Sequence, residues 1–173
     1  PSSAASDVYK RQIQDCSARG VWLPKAMAKP VTPLVGCEAF VVDDSRRVLL
    51  IRRSDNGLWA LPGGCQDLGE TPMQCAIREV REETGLEIRV HRLLGIFSSK
   101  CYEYVHYPWK ENEFTHVFFA GEIVGGSLTT SAESSDVGFF AETEMPSLSD
   151  GHHRRIAVGF RSLRESDRAA EFE

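Results

Sequence analysis

Apolar runs bounded by turn residues predict several short β-strands along the chain. The run LVGCEAFVV over 34–42 predicts a buried strand, and RVLLIRR over 47–53 predicts the next one. Asp43, Asp44 and Ser45 separate the two runs as a turn would, so we expect them to form a β-hairpin. Further strands are predicted over 86–98 (as one strand or two), 114–124 and 137–140.

Boundary residues predict a helix that begins at Pro72. Thr71 can cap its N-terminus, and a proline at the first helical position lacks only an N–H that would have no partner there. Gly85 suits the left-handed position at which helices end. Four apolar residues have the i, i+3, i+4, i+7 spacing of one helix face and are expected to face the sheet: Met73, Ala76, Ile77 and Val80.

The later part of the chain predicts a second helix over 150–163 and a short helical segment over 142–145. Strands on both sides of one helix, with another helix after them, predict an α/β fold with a mixed sheet between helical layers. We expect this domain to cover 31–165. Residues 1–30 are expected to form a flexible tail and lead-in, and 166–173 a C-terminal tail.

Composition and charge are those of an ordinary globular protein. Of 173 residues, 26% are charged and 42% are hydrophobic, and the net charge is −5. No apolar run approaches the roughly 20 residues that span a bilayer, and no basic face indicates nucleic acid binding. The five cysteines are scattered without a C-x-x-C pair, which predicts neither disulfides nor a zinc site and favours a reducing, cytoplasmic setting.

Three glutamates crowd one side of the first predicted helix. Glu79, Glu82 and Glu83 stand at i, i+3 and i+4, so their carboxylates share a narrow sector. Like charges this close repel each other, and a bound divalent cation would reverse that cost. Oxygen ligands on a rigid helix suit Mg²⁺ or Mn²⁺. The alternative is an acidic helix face in contact with solvent.

These glutamates belong to a longer pattern, the segment GCQDLGETPMQCAIREVREETGL over 64–86. It fits G-x5-E-x7-R-E-U-x-E-E-x-G-U, where U is a bulky aliphatic residue, and so resembles the box of the Nudix hydrolases. The resemblance implies an α/β/α sandwich and the cleavage of a diphosphate that is linked to another moiety. Many relatives have Glu where this chain has Asp67, a change that keeps the charge.

The resemblance also implies roles for individual residues. The implied metal ligands are three helix carboxylates, one backbone carbonyl and one acid from a distant loop: Glu79, Glu82, Glu83, Gly63 and Glu133. Asp136 is the second choice for the loop acid. Arg78 would hold a carboxylate in place, and Glu70 would steady the start of the helix. For the base that takes a proton from the attacking water we favour Glu82, with Glu79 and Glu133 as rivals.

Substrate choice depends on residues outside the box. Arg53 matches a position that contacts nucleotide in some relatives, although an exposed arginine at a strand end is the alternative. Trp59 is interpreted as a core residue or as a platform for a base. Tyr104 belongs to an aromatic loop over 99–113 that can stack on a base or sugar, or pack on itself.

His152 and His153 begin the second predicted helix. We expect both to face solvent, with a role in binding a ligand as the alternative.

We therefore expect a hydrolase that depends on Mg²⁺ or Mn²⁺ and acts on a nucleoside diphosphate derivative, such as ADP-ribose, a sugar nucleotide or a CDP-alcohol. The products would be a nucleoside monophosphate and a phosphorylated second moiety. One alternative is a house-cleaning nucleoside triphosphate pyrophosphatase. Another, in a different class, is a non-catalytic module that senses a nucleotide. The expected partner is a small-molecule nucleotide rather than nucleic acid or a membrane, and the resemblance allows a homodimer.

Overall fold

Eight strands and two helices form the described part of the chain, which comprises residues 33–101, 113–165 and 167–172 of a computed structural model. The strands are β1 (Leu34–Val41), β2 (Val48–Arg53), β3 (Trp59–Ala60), β4 (Gly63–Cys65), β5 (Leu86–Ser98), β6 (Phe114–Gly126), β7 (Ser134–Phe140) and β8 (Glu171–Phe172). The helices are α1 (Pro72–Thr84) and α2 (His152–Arg164), and a 3-10 turn (Ser99–Cys101) follows β5. Neither helix in these ranges is long and apolar enough to cross a membrane.

The described strands form a mixed sheet of five and an antiparallel sheet of three. The order in the larger sheet is β4-β1-β6-β5-β8, with β1 parallel to β6 and antiparallel to β4. In the smaller sheet β2 lies between β3 and β7. Together with the two helices, these sheets make the α/β sandwich with a mixed sheet that the sequence predicts.

Successive residues of β1 face opposite helices, because side chains alternate across a strand. Cys37, Ala39 and Val41 pack with Val80 of α1 in one buried cluster. Phe40, from the other face of the strand, packs with residues of α2 in a second cluster. The sheet is therefore covered on both faces, and β1 connects the two halves of the core.

The predicted hairpin between the first two strands is wrong, although the turn between them forms. The Asp43 carboxylate accepts hydrogen bonds from the backbone N–H groups of Ser45 and Arg47 at 3.0 and 2.8 Å. Beyond the turn the strands share one isolated bridge, Val42 to Val48, and then enter different sheets. Each strand already has a neighbour on both edges, which leaves no edge for a hairpin between them.

Two helix predictions also need correction. Met73 has the spacing of the buried face but is 45% exposed, because the first turn of α1 packs on β4 through Cys75 instead. The segment 142–145 forms one turn, closed by the Glu144 N–H on the carbonyl of Ala141, and not a helix. Pro146 follows directly, and a proline disfavours helical geometry in the residue before it.

The predicted C-terminal tail contains a short strand. Residues 171–172 form β8, which pairs in parallel with Gly95 and Ile96 of β5. Gly95 permits this pairing, since a Cβ there would lie 2.7 Å from the carbonyl oxygen of Glu171.

Replacing Gly159 with alanine should destabilise the protein, although alanine is the better helix former. A Cβ at this position of α2 would press into the ring of Phe40, 2.5 Å from its Cγ and Cε2 atoms. Overpacking a core costs about 1–3 kcal/mol, against a gain of about 1 kcal/mol in helix propensity. Urea unfolding of Gly159→Ala should therefore show a lower free energy of unfolding than wild type. The exchange Ala157→Gly on the exposed face is the control for propensity alone. A more stable Gly159→Ala would contradict the packing.

Candidate active site

We call residues 61–64 the glycine turn: they lead from β3 into the first two residues of β4, and the two glycines permit a close approach to β1. A Cβ on Gly63 would contact the carbonyl oxygen of Cys37 and lie 2.8 Å from the Cα of Glu38. A Cβ on Gly64 would lie 2.5 Å from the Glu79 carboxylate. The backbone at Gly63 and Gly64 therefore fits tightly against β1 on one side and against a carboxylate of α1 on the other.

Both ends of α1 are fixed as the sequence predicts. The Thr71 hydroxyl accepts a hydrogen bond from the Gln74 N–H at 3.2 Å, and the Gln74 side chain accepts one from the Thr71 N–H at 2.8 Å, which completes a capping box. Gly85 is left-handed, with φ 73°, and its N–H donates to the carbonyl of Arg81. The caps fix where α1 begins and ends, and its helical geometry sets the spacing of the carboxylates along it.

Arg78 gathers three of the acids in this region. Its Nε and Nη2 atoms donate to the two oxygens of Glu70 at 3.1 and 2.8 Å. Its Nη1 atom donates to Glu79 at 2.8 Å and to Glu82 at 3.1 Å. The bonds to Glu70 are the main reason that the pKa of Arg78 lies above its usual value. Arg78 thus ties the carboxylates of α1 to the loop before it.

Glu79 and Glu83 carry carboxylates into a poorly solvated region. The Glu79 side chain is 13% exposed, and Glu83 as a residue is 7% exposed. Burial is the largest influence on both and raises the pKa of each carboxyl, and the charge of Glu133 raises both further. Arg78 opposes the rise at Glu79, and the Gly63 N–H, 2.8 Å from Glu83 Oε2, opposes it at Glu83. These two acids would gain stability from any cation placed between them.

The loop before β7 brings Glu133 to the end of α1. The buried Ser134 hydroxyl donates to the carbonyl of Glu83 at 2.6 Å, which docks the loop on the helix. The carbonyl of Glu133 accepts from the Ser54 N–H, and its own N–H donates to the Ser131 hydroxyl. Asp136, the second choice from the sequence, is exposed and lies within β7 opposite Arg52.

The donor set fits a hard divalent cation in its chemistry. The candidate ligands are carboxylate and carbonyl oxygens, which Mg²⁺ and Mn²⁺ prefer. Glu82 is 60% exposed and turned toward Arg78. Across the described ranges, no three His, Cys, Asp or Glu side chains stand close enough together to enclose an ion as they are. Binding would therefore require the Glu82 carboxylate, or that of Glu133, to move toward Glu79 and Glu83.

A cavity of about 50 Å³ is lined by Gly63 and Gly64 together with charged and apolar side chains. Its lining includes Arg53, whose guanidinium donates to both oxygens of Asp55 at 2.9 and 2.5 Å. Phe114 and His116 also line it and stack on each other with ring centroids 5.7 Å apart. Of the three candidate substrate residues, the structure places Arg53 here.

Trp59 is described and does not line this cavity. Trp59 packs edge-on against Phe140, with centroids 4.6 Å apart, at the margin of the core. That placement agrees with the interpretation of Trp59 as a core residue. Tyr104 and the rest of the aromatic segment from 102 to 112 lie outside the described residues.

Four polar residues on the α2 side of the cavity were not identified from the sequence or were misplaced. Glu38 and Arg155 are 6% and 1% exposed and form a bidentate ion pair at 2.5 and 2.8 Å. His116 Nδ1 lies 3.4 Å from the same carboxylate. His152, expected to face solvent, is 5% exposed, whereas His153 is exposed as predicted. A glutamate within an apolar strand needs a buried partner, and that signal could have pointed to this cluster.

Comparisons with known proteins agree on one family. A family model described as the NUDIX domain matches residues 33–158. An ADP-ribose pyrophosphatase of Methanocaldococcus jannaschii is 31% identical over 119 residues, which are 67% of this chain and 67% of that protein. A Bacillus subtilis relative is 28% identical over 129 residues, 73% of this chain and 61% of its own length. The matched part of the chain thus spans about two thirds of these relatives.

Solved structures give the same result. A UDP-X diphosphatase superposes with a TM-score of 0.72 at 25% identity, covering 92% of this chain and 75% of that one. An ADP-ribose pyrophosphatase from Streptococcus suis gives a TM-score of 0.69 at 27% identity, covering 82% of this chain and 100% of the other. Both likenesses extend well beyond the segment from 64 to 86.

Replacing Glu83 with glutamine should stabilise the protein in the absence of divalent cations. The amide keeps an acceptor for the Gly63 N–H and removes a buried charge next to Glu79. We expect the free energy of unfolding in EDTA to rise by on the order of 1 kcal/mol, measured by urea unfolding. Added Mn²⁺ should stabilise wild type more than the variant. A Glu83→Gln protein less stable than wild type in EDTA would show that its charge is compensated. The exchange Glu87→Gln, on an exposed residue, is the control.

Proposed function

The chain belongs to the Nudix hydrolases, enzymes that act on pyrophosphate bonds, and we propose that it cleaves the diphosphate of a nucleoside diphosphate derivative. The observation that carries the proposal is the placement of two poorly solvated carboxylates beside the glycine turn: Glu83 accepts a hydrogen bond from the Gly63 N–H, and Glu79 lies against Gly64. Candidate substrates are ADP-ribose, a sugar nucleotide and a CDP-alcohol. The names of the two solved relatives, an ADP-ribose pyrophosphatase and a UDP-X diphosphatase, support this substrate class.

We assign the cation site to oxygen donors around the turn. The proposed ligands of Mg²⁺ or Mn²⁺ are one carbonyl and four carboxylates: Gly63, Glu79, Glu82, Glu83 and Glu133. When bound, the cation supplies positive charge that offsets the negative charge of the diphosphate. The mutual repulsion of these acids supports the assignment, because a cation between them would attract each carboxylate and so offset the repulsion.

Proton transfer is assigned to Glu82. Its side chain is 60% exposed, whereas that of Glu79 is 13% exposed, so of the two helix acids bonded to Arg78 it is Glu82 that is open to a water molecule beside the substrate. Arg78 acts as the positioning residue, since one guanidinium nitrogen donates to both acids. Glu79 and Glu133 are the rival bases.

The cavity beside the glycine turn is the proposed site for part of the substrate. Arg53 supplies a cation there, and Asp55 fixes its orientation with two hydrogen bonds. Such a cation is suited to the phosphates of a nucleotide. The stacked rings of Phe114 and His116 offer an aromatic wall to a base or a sugar.

A turnover screen tests the reaction. The purified chain is incubated with Mg²⁺ or Mn²⁺ and with ADP-ribose, UDP-sugars, CDP-alcohols and nucleoside triphosphates. We expect a nucleoside monophosphate and a phosphorylated second moiety from at least one diphosphate derivative, and no turnover in EDTA. Turnover of nucleoside triphosphates alone would favour the alternative function, a house-cleaning nucleoside triphosphate pyrophosphatase. Nucleotide binding without any turnover would indicate a sensing module instead.

Matched glutamine variants separate the roles of the acids. Glu82→Gln should lower kcat by roughly a hundredfold or more, since proton transfer to a positioned base contributes about that much. Glu133→Gln should raise the Mg²⁺ concentration needed for half-maximal rate and change kcat less. Glu144→Gln, an exposed acid in the turn after β7, is the control. A Glu82→Gln enzyme near the wild-type rate would move the base to Glu79 or Glu133.

A further inference from the structure

The turn that carries Gly63 is attached to both helices. Pro62 has no N–H, so the N–H groups beside it are those of Leu61 and Gly63. The Leu61 N–H donates to the ring of His152, the first residue of α2, at 3.1 Å. The Gly63 N–H donates to Glu83 of α1 at 2.8 Å. These two N–H groups of one turn are thus bonded to different helices, so the turn is anchored on both sides.

His152 is bonded in a way that fixes its tautomer. The acceptor of the Leu61 N–H is Nδ1, so that nitrogen carries no proton and the neutral ring holds its proton on Nε2. Burial, followed by the charge of Arg155, lowers the pKa of His152 well below its usual value. The ring therefore remains an acceptor for the turn.

The β1 strand beneath the turn is attached to the same helix. Glu38 is the register partner of Gly63, and its carboxylate is gripped by Arg155, one turn after His152. Arg155 Nη2 also lies 3.4 Å from His152 Nδ1. Helix α2 thus holds the turn from one side through His152 and the strand below it through Arg155.

We infer that His152 is a positioning residue that, through the Leu61 N–H, sets the place of the Gly63 carbonyl at the cation site. The Arg155–Glu38 ion pair fixes β1, the strand that pairs with Gly63. The inference rests on the proposed function, because it takes the Gly63 carbonyl as a cation ligand. On this inference α2 affects how tightly the cation binds, although none of the proposed ligands lies on α2.

Three variants of His152 distinguish an acceptor from a space-filling ring. Asparagine places its carbonyl oxygen on Cγ, where histidine has Nδ1, and should accept the Leu61 N–H. Glutamine moves the oxygen one carbon farther, and leucine has no acceptor at all. His153→Leu, at the exposed neighbour, is the matched control.

Two measurements on the substrate-free protein report the effect. Amide hydrogen exchange by NMR follows the Leu61 N–H in EDTA, and electron paramagnetic resonance of free Mn²⁺ gives the cation affinity. We expect His152→Leu and His152→Gln to lose protection at Leu61 and to bind Mn²⁺ roughly tenfold more weakly. The Mn²⁺ affinity of His152→Asn should stay within about twofold of wild type, since asparagine keeps an acceptor at the Nδ1 position. That of His153→Leu should do the same, since His152 itself is unchanged.

Wild-type Mn²⁺ affinity in His152→Gln or His152→Leu would overturn the inference. So would a His152→Asn protein as impaired as His152→Gln, since the shape of the ring would then matter and not its acceptor. If His152→Leu fails to fold, the comparison of asparagine with glutamine decides alone. Turnover of a diphosphate derivative by wild type, together with equal Mn²⁺ affinity in every variant, would remove the inference and leave the proposed function standing. A wild-type protein that neither binds Mn²⁺ nor turns over any substrate would remove both.

Discussion

The backbone at Gly63 and Gly64 passes closer to its neighbours than a side chain would allow, and much of the candidate site depends on that approach. Gly63 lies against Glu38 of β1, and Gly64 lies against the carboxylate of Glu79. Because neither position has room for a Cβ, the peptide groups themselves come within reach of the acids of α1. The sheet, the two helices and the caps of α1 all serve to hold this short segment in place.

The acids near the turn show two different ways of treating buried charge. Glu38 is compensated: burial disfavours its charged form, but Arg155 and His116 outweigh that cost, and the pKa of Glu38 lies far below its usual value. Glu83 is not compensated in this way, and its pKa lies well above the usual range. The Glu38 carboxylate is therefore stabilised by the cations around it, whereas the Glu83 carboxylate would be stabilised by an added positive charge. The opposite pKa shifts therefore distinguish Glu38, a structural acid, from Glu83, a candidate ligand, although both lie beside Gly63.

Local sequence was sufficient where the interactions themselves are local. The caps at Thr71 and Gly85 form as predicted, because each involves residues within a few positions of one another. The apolar run over 34–42 likewise predicted a buried strand, and six of the eight residues of β1 are buried. The hairpin between 34–42 and 47–53 failed because a turn signal shows that the chain reverses, but not which strand the next segment will pair with. That choice depended on β4, β6, β3 and β7, which come later in the chain.

The sequence by itself determined the box of 64–86, the spacing of its three helix glutamates and the α/β fold, since periodicity and caps are properties of neighbouring residues. Only the tertiary structure joined Glu38 to Arg155, 117 residues apart, and brought His152 to the N–H of Leu61, 91 residues away. A solvent-facing histidine at the start of a helix and a buried acceptor have the same local sequence. What separates them is the packing of α2 on the sheet, which buries His152 and Arg155 while leaving His153 in water.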